Sequence, residues 1–374
     1  MKILIRNRCS DFESYRANRV KSLFNAENGC NFERDVDIPI EGQEWSIGLV
    51  VGASGTGKTS IGRKFKGGIT DLHAGWPPRK PIVDCIAPRG DFNAVTGALA
   101  AVGLGDVPAW LRPFRVLSNG EQFRAGLARL IADAPPFAVV DEFTSVIDRQ
   151  IAKVGSLAFG KAWRRTGGRC VLLSCHYDII DWLQPDWIYD TTKGEFAGRC
   201  RRRPPKVTLE IRRTDGSWWP LFEPHHYLKI PRPIAAKYYV GFIGGQPVSH
   251  LATSPRLDIG AVRACRLCVM PEWQGTGIGM RFLNEVCWMS IANAPGCHEF
   301  GDRVKRVYAH TSHPGLSSAL KRSSQWRQVS AMLCGCNKAR CRQSINSHRP
   351  NQDVKSSGYG GHFRAIQGFV MESA

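Results

Sequence analysis

The sequence predicts an α/β chain of two domains: an α/β domain over residues 1–200 and a mixed α+β domain over residues 204–374. Three observations carry this. The apolar run Ser46–Val51 leads straight into Gly52-Ala-Ser-Gly-Thr-Gly-Lys-Thr-Ser60, a glycine loop set between strand and helix. A second apolar run, Phe137–Val140, ends in the paired acids Asp141 and Glu142. Beyond a break at Arg201-Arg202-Arg203-Pro204-Pro205, where two prolines stop regular structure, another strand–loop–helix pattern surrounds Gln274-Gly275-Thr276-Gly277-Ile278-Gly279.

The 374 residues suffice for two buried cores at roughly 150 residues per domain. Residues 1–200 hold 26 Lys+Arg and 22 Asp+Glu, a net of +4, whereas residues 201–374 hold 25 and 10, a net of +15. A basic half joined to a near-neutral one points to a polyanion partner, nucleic acid first, with a solvated basic surface as the alternative. No apolar run approaches the roughly 18 residues of a membrane span, and Met1-Lys-Ile-Leu-Ile-Arg has no signal-peptide character, so the expected location is cytoplasmic, without membrane contact. Thirteen scattered cysteines in such a compartment read as buried or free thiols.

In the first half, Ser46–Val51 reads as a buried strand. Glycines at 52, 55 and 57 let the loop, with Ser54 inside it, turn its N–H groups toward phosphate oxygens. The pattern is G-x-x-x-x-G-K-[ST], in which Lys58 reaches terminal phosphates and Thr59 can ligate Mg²⁺. Ser60 leads into a helix read over Ile61–Phe65. Leu117-Ser118-Asn119-Gly120-Glu121-Gln122 precedes a helical pattern of Phe123, Leu127 and Leu130. Pro135–Glu142 reads as a strand closing on two acids, with Asp141 the candidate Mg²⁺ ligand and Glu142 placed to orient or deprotonate an attacking water. Ser145–Asp148 follows, then Val171–His176, an apolar strand ending in a histidine. Phe24 or Phe32 is a candidate for stacking on adenine, core packing being the other reading of each.

This ordered set resembles the ABC-type ATPase family over about residues 30–192. Gly52–Ser60 resembles its Walker A loop, Leu117–Gln122 its signature, Ala138–Glu142 its Walker B strand, Ser145–Asp148 its D-loop and His176 its switch histidine. The resemblance implies bound ATP and Mg²⁺, with Asp148 near the nucleotide. It also implies an ATP-dependent homodimer in which Ser118 and Gly120 of one copy face the γ-phosphate held by Lys58 of the other. Asn119 and Glu121 replace the commoner Gly and Gln of that signature. No glutamine occurs between Ser60 and Glu121, so the family's Q-loop residue is missing, and Asp84 is the candidate replacement. The short stretch from Lys58 to Ser118 argues against a transporter.

In the second half, Val207–Arg213 alternates as a strand, Tyr238–Ile243 and Gln246–Ala252 flank a Gly244-Gly245 turn, and Val262–Met270 precedes the second glycine loop. A helix with Phe282, Leu283, Val286 and Cys287 on one face follows, then a strand over Val304–His310. The loop resembles motif A of GNAT-type acyltransferases, with Gln274, Gly277 and Gly279 matching and Gly275 between them. That resemblance implies a loop holding the pyrophosphate of acetyl-coenzyme A or a related acyl-coenzyme A. The helix Leu316–Gln325 lacks the tyrosine many members use as acid, which leaves His225, His226, Tyr227 and His313 as candidates. At fold level the half is also similar to Mom-type DNA-modification enzymes. Trp218, Trp219 and Trp326, with Arg322, Arg327 and Arg364 nearby, are candidates for stacking on bases. Cys334, Cys336 and Cys341 with Cys297 or His348 are a candidate zinc set.

Overall fold

The computed structural model describes residues 1–7, 11–25, 32–88, 90–145, 147–198, 200, 205–228, 233, 236–256, 260–291, 306–332 and 365–372. Its strands are β1 (Lys2–Asn7), β2 (Phe32–Asp37), β3 (Ile47–Val51), β4 (Phe137–Val140), β5 (Arg169–Ser174), β6 (Trp187–Asp190), β7 (Glu195–Gly198), β8 (Glu210–Thr214), β9 (Lys237–Ile243), β10 (Gln246–Arg256), β11 (Ala261–Val269), β12 (Arg306–Thr311), β13 (Arg327–Met332) and β14 (Ile366–Glu372). Its helices are α1 (Tyr15–Phe24), α2 (Lys58–Lys64), α3 (Ile82–Cys85), α4 (Phe92–Ala101), α5 (Val107–Trp110), α6 (Asn119–Asp133), α7 (Arg149–Trp163), α8 (Ile180–Leu183), α9 (Trp219–Phe222), α10 (Ile278–Ile291) and α11 (Pro314–Arg322).

The chain forms two compact units. One comprises residues 1–74, 134–156 and 163–204, the other residues 75–133, 157–162 and 205–374. The sequence reading divided the chain into contiguous halves, 1–200 and 204–374. The compact units instead put 75–133 with the C-terminal segment, because α4 packs on α11. Gly315 on α11 permits this approach, since a Cβ there would lie 2.7 Å from the Cβ of Ala100.

In the first unit a five-stranded sheet runs β4-β5-β3-β6-β7, with β4, β5, β3 and β6 parallel and β7 antiparallel at one edge. Parallel strands are buried on both faces, which is why β3 and β4 read as unbroken apolar runs. Val50, Val139, Val171 and Leu173 are fully buried with Ile61, Trp187 and the β1–β2 residues Ile3, Ile5 and Val36. Each such side chain contributes about 1.5–3 kcal/mol by burial.

In the second unit a seven-stranded sheet runs β13-β14-β12-β11-β10-β9-β8. Only β11 and β12 are parallel, and their pairing covers just Val262–Ala264 against Val307–Ala309 before the strands part. Phe282, Leu283 and Val286 of α10 and Leu320 of α11 cover one face, against Tyr239, Leu251, Val262, Val307 and Phe369. At the β8–β10 end the opposite face holds Trp219, Phe222, Val240 and Phe242.

The predicted base-stacking tryptophans belong to these cores. Trp219 is 3% exposed, Trp218 packs edge-on against Phe242, and Trp326 gives its indole N–H to Asn284 Oδ1 at 2.8 Å. Their apolar area outweighs the basic neighbours that suggested exposure. Arg364 and the candidate zinc residues Cys297, Cys334, Cys336, Cys341 and His348 lie outside the described residues. Among the described residues no helix is long and apolar enough to cross a membrane.

Candidate functional site

The carboxyl edge of the parallel sheet carries the first constellation, where open α/β sheets hold ligands. β3 delivers the chain to Gly52, whose N–H donates to Ser174 O at the end of β5 (3.3 Å). Only glycine fits there: a Cβ would lie 2.0 Å from Thr191 Oγ1, at a φ of +157°. Ala53 N–H donates to Thr192 Oγ1 (3.2 Å), so the turn after β6 anchors the loop from the other side. Lys58, 8% exposed, bends its ammonium onto Gly52 O (2.8 Å) and Ala53 O (2.7 Å), across the mouth of its own loop. Ser54 and Gly55 are exposed, and Gly57 turns into α2 at φ +91°. The first turn of α2 holds Thr59, and Ser60, whose Oγ accepts from Asn7 Nδ2 at 2.9 Å.

The acids follow β4, which lies one strand away across β5. Val140 pairs with Leu172, and Phe143 N–H donates to Leu173 O (2.8 Å), so the chain past β4 stays tied to the β5 end that also holds Gly52. Glu142 N–H donates to Asp141 Oδ1 (2.9 Å). Glu142 and Thr144 adopt φ values of +52° and +70°, a left-handed turn costing about 1–3 kcal/mol per residue and of a kind that clusters at functional sites. His176 follows β5, its N–H on Ser174 Oγ at 3.1 Å. Burial first and Arg149 second hold its imidazole below the ordinary range, against Asp178 and Glu142; Lys58 also lies close enough to lower it. The sequence-predicted Lys58, Glu142 and His176 therefore share one electrostatic neighbourhood.

Sequence reasoning missed Arg149. Its guanidinium grips Asp178 through Nη2 and Nε (3.3 Å to Oδ2) and reaches Thr144 O (3.3 Å), clamping the turn after the acids. Its position directly after Asp148 was the available signal. Asp148 itself caps α7, accepting from Gln150 N–H (2.8 Å) and Ile151 N–H (3.3 Å).

A magnesium ion fits the oxygen donors here. The Thr59 hydroxyl and the Asp141 carboxylate are hard ligands. Among the described residues no group of three His, Cys, Asp or Glu side chains could hold a metal ion.

Other predicted residues fall in the second unit. Ser118 and Gly120 stand at the start of α6, but the Ser118 hydroxyl (2.9 Å) and N–H (2.8 Å) both donate to Glu121 Oε2. The unusual Glu121 thus makes a capping box and turns the serine toward its own helix. Arg124 Nε donates to Gly120 O (3.2 Å). Asp84 is exposed on α3 in the second unit. Phe24, on α1 of the first unit, is 76% exposed.

The second glycine loop joins β11 to α10. Gln274 was expected on a cofactor pyrophosphate, but its Oε1 accepts Gly105 N–H (2.8 Å) and its Nε2 donates to Val269 O (3.0 Å). Its amide is consumed as a clamp because the chain after α4 runs directly over it. A Cβ on Gly275 would lie 2.7 Å from Ala101 O and 3.1 Å from Gly103 N. Lys161 Nζ donates to Thr276 O (3.0 Å). Further along the loop a Cβ on Gly277 meets nothing within 4 Å, and one on Gly279 meets only Val269 Cγ2. His313 caps α11 by accepting from Leu316 N–H (3.3 Å) and sets its Nε2 3.3 Å from Gly105 O. His226 is buried against Trp219, and the Tyr227 hydroxyl accepts Ser312 N–H. Of the four predicted acids or bases, only His225 is exposed.

No family model matches the chain. It is 42% identical over 85 residues to the cytochrome c biogenesis ATP-binding export protein CcmA of Rhodospirillum rubrum, covering 23% of this chain and 35% of that protein. The CcmA protein of Paramagnetospirillum magneticum is 38% identical over 87 residues, 23% of this chain and 38% of that one. The chain thus spans little more than a third of the length of these relatives. A dimeric post-hydrolysis structure of the ATP-binding cassette MJ0796 with ADP and phosphate is 15% identical, covering 44% of this chain and 88% of that one with a TM-score of 0.35. A GNAT family acetyltransferase from Elizabethkingia anophelis with acetyl-CoA bound is 15% identical, covering 45% and 100% with a TM-score of 0.29. The CcmA similarities support an ABC-type ATPase domain in this chain.

Proposed function

We propose that the protein binds and hydrolyses ATP through its first unit and uses its basic second unit to hold nucleic acid, as a cytoplasmic, ATP-dependent homodimer. The carrying observation is that Lys58, Glu142 and His176 each follow the carboxyl end of one of three adjacent parallel strands, β3, β4 and β5. Lys58 exchanges its loop carbonyls for the terminal phosphates, to which loop N–H groups also donate. Thr59 and Asp141 would hold Mg²⁺, which would supply neutralisation of phosphate charge. Glu142 orients the attacking water and takes its proton, while the ATP γ-phosphoryl passes to that water and ADP leaves. His176, held neutral, has one ring nitrogen free to accept and one to donate toward the phosphate. Asp148 and, from a second copy, Ser118 and Gly120 complete the site in this reading.

A second reading is that the second unit also transfers an acyl group from acyl-coenzyme A onto the nucleic acid, in the manner of a DNA-modifying enzyme. Two features favour it: the uncovered Gly277–Gly279 end of the loop, and the adjacent β11, which parts from β12 after Ala264. Against it stands Gln274, already engaged by Gly105.

Glu142→Gln is expected to keep ATP bound while lowering turnover by about 10²–10⁴-fold; unchanged phosphate release would overturn the role of Glu142. Acetyl-coenzyme A binding measured by calorimetry, together with mass spectrometry of nucleosides from expressing cells, separates acyl transfer from simple gripping.

A further inference from the structure

The face of the seven-stranded sheet turned away from α10 and α11 carries side chains that neither glycine loop uses. The registers set them in rows across four strands. Arg263 on β11 lies beside Tyr308 on β12, Tyr308 faces Val370 on β14, and Val370 faces Arg327 on β13. Residues paired across a ladder point to the same side, so this row lies on one face of the sheet, with Val370 buried at its centre between Tyr308 and Arg327. In the next row Arg306 faces Glu372, and two residues further along β12 His310 faces Gly368, which faces Ser330. Arg256, at the end of β10, holds its guanidinium 5.7 Å from the centre of the Tyr308 ring.

The chemistry of this surface is specific. Arg263, Arg306, Arg327 and His310 are exposed and Tyr308 is half-buried. The one acid among these residues is Glu372, 3.1 Å from both Arg306 and Arg327, so four arginines less one glutamate leave an excess of three positive charges. The rings of Tyr308 and His310 lie 19° from parallel with centroids 6.5 Å apart, close to two base-stacking steps of roughly 3.4 Å. His310 keeps an exposed edge, while partial desolvation on the sheet, then Arg263 and Arg256, hold it below the ordinary imidazole range, so at neutral pH it offers a neutral aromatic face. Gly368 keeps the floor beside it low, since a Cβ there would lie 3.1 Å from His310 Nε2 and 2.4 Å from Ser330 Oγ.

Flat neutral rings ringed by arginines match single strands, whose bases are free to stack while their phosphates are neutralised. A duplex hides its base faces and uses the charge alone. We infer that this sheet face, centred on Tyr308 and His310 and bounded by Arg256, Arg263, Arg306 and Arg327, docks single-stranded nucleic acid with bases stacked on the two rings. The inference rests on reading the second unit as the nucleic-acid-holding part and adds where and in what form the strand is held.

The test measures fluorescence anisotropy of labelled oligothymidylate with the full chain. Tyr308→Ala is expected to weaken binding about tenfold, and Tyr308→Phe, which keeps the ring, to bind within about twofold of wild type. Arg263→Glu is expected to weaken binding and flatten the log–log salt dependence by about one unit. If wild type binds and neither Tyr308→Ala nor Arg263→Glu changes it, this face is wrong while the nucleic-acid reading stands. Tighter binding of a duplex, insensitive to Tyr308→Ala, overturns base stacking in favour of charge alone. No binding of either probe by wild type overturns both.

Discussion

The two glycine loops share a pattern, strand to glycine turn to helix, yet differ in what occupies them. Around Gly52–Ser60 the near neighbours brace the loop from behind: Ser174, Thr191 and Thr192 hold Gly52 and Ala53, and the Lys58 ammonium rests on loop carbonyls that a phosphate can replace. Around Gln274–Gly279 the neighbours engage the loop's own groups: Gly105 N–H takes the Gln274 amide oxygen, Ala101 O crowds Gly275, and Lys161 bonds Thr276 O. A glycine pattern thus specifies a backbone able to receive an anion, while the surrounding chain decides how much of it stays accessible.

The largest effect that would sharpen this contrast is at Lys58. Lys58→Ala removes the cation from the open loop and is expected to weaken ATP binding by at least about 30-fold in calorimetry, the scale of losing one partner of a buried charge pair. Gln274→Ala should leave ATP affinity unchanged. Comparable losses in both variants would erase the functional distinction between the loops.

Acid provides the next largest effect, because the second unit holds two histidines away from water. His250 on β10 is fully buried against Trp219 and Phe222, and burial pushes its pKa down to about 4; burial also lowers His313, which faces Gly105. Both imidazoles are neutral in the native state. Stability is therefore complete above the ordinary imidazole pKa of 6.5 and is lost as pH falls from there toward about 4, where the unfolded chain binds protons the native one refuses. At pH 5 His250 alone accounts for roughly 2 kcal/mol. Thermal melts followed by tryptophan fluorescence should show the second unit destabilised at pH 5 relative to pH 7.5, with His250→Phe flattening the dependence. A melting temperature indifferent to pH would mean that these rings are not buried neutral.

A finer comparison lies inside the second loop. Gly275→Ala meets both a left-handed φ of +78° and the carbonyl of Ala101 at 2.7 Å, whereas Gly277→Ala meets only its φ of +95°. The first is expected to cost about 2–3 kcal/mol and the second about 1 kcal/mol in urea unfolding. Equal costs would show that the segment 100–105 yields freely.

The first loop, the acids and the switch-like histidine were legible because each follows a buried strand of the parallel sheet, and such strands announce themselves as apolar runs. The second unit was legible in strand order, from the Gly244–Gly245 hairpin and the amphipathic α10. The origin of its covering was not, since Gly103 and Gly105 lie some 170 residues from Gln274 and their role is only to lack side chains where chain meets chain. Tyr308 and His310 were passed over for the same reason the tryptophans were favoured: residue type suggests stacking, but the register of β12 decides which ring faces out. Arg149 was hidden because its partner Asp178 comes from a different strand end.

The smallest effect bears on a third helix start. At α6 the position open to an outside anion is held by the chain's own carboxylate, since Glu121 accepts both the N–H and the hydroxyl of Ser118. If that serine meets a γ-phosphate across a homodimer, Glu121 sets a negative charge beside a negative ligand, at about 1 kcal/mol per pair of unit charges near contact in water. Glu121→Gln keeps an oxygen to cap the helix and removes the charge. Its stability should stay within about 0.5 kcal/mol of wild type, whereas Glu121→Ala loses about 1 kcal/mol with the cap. In light scattering with ATP on a Glu142→Gln background, the dimer should tighten severalfold in Glu121→Gln. A dimer unchanged by that substitution would place Ser118 away from the nucleotide and leave Glu121 as a helix cap alone.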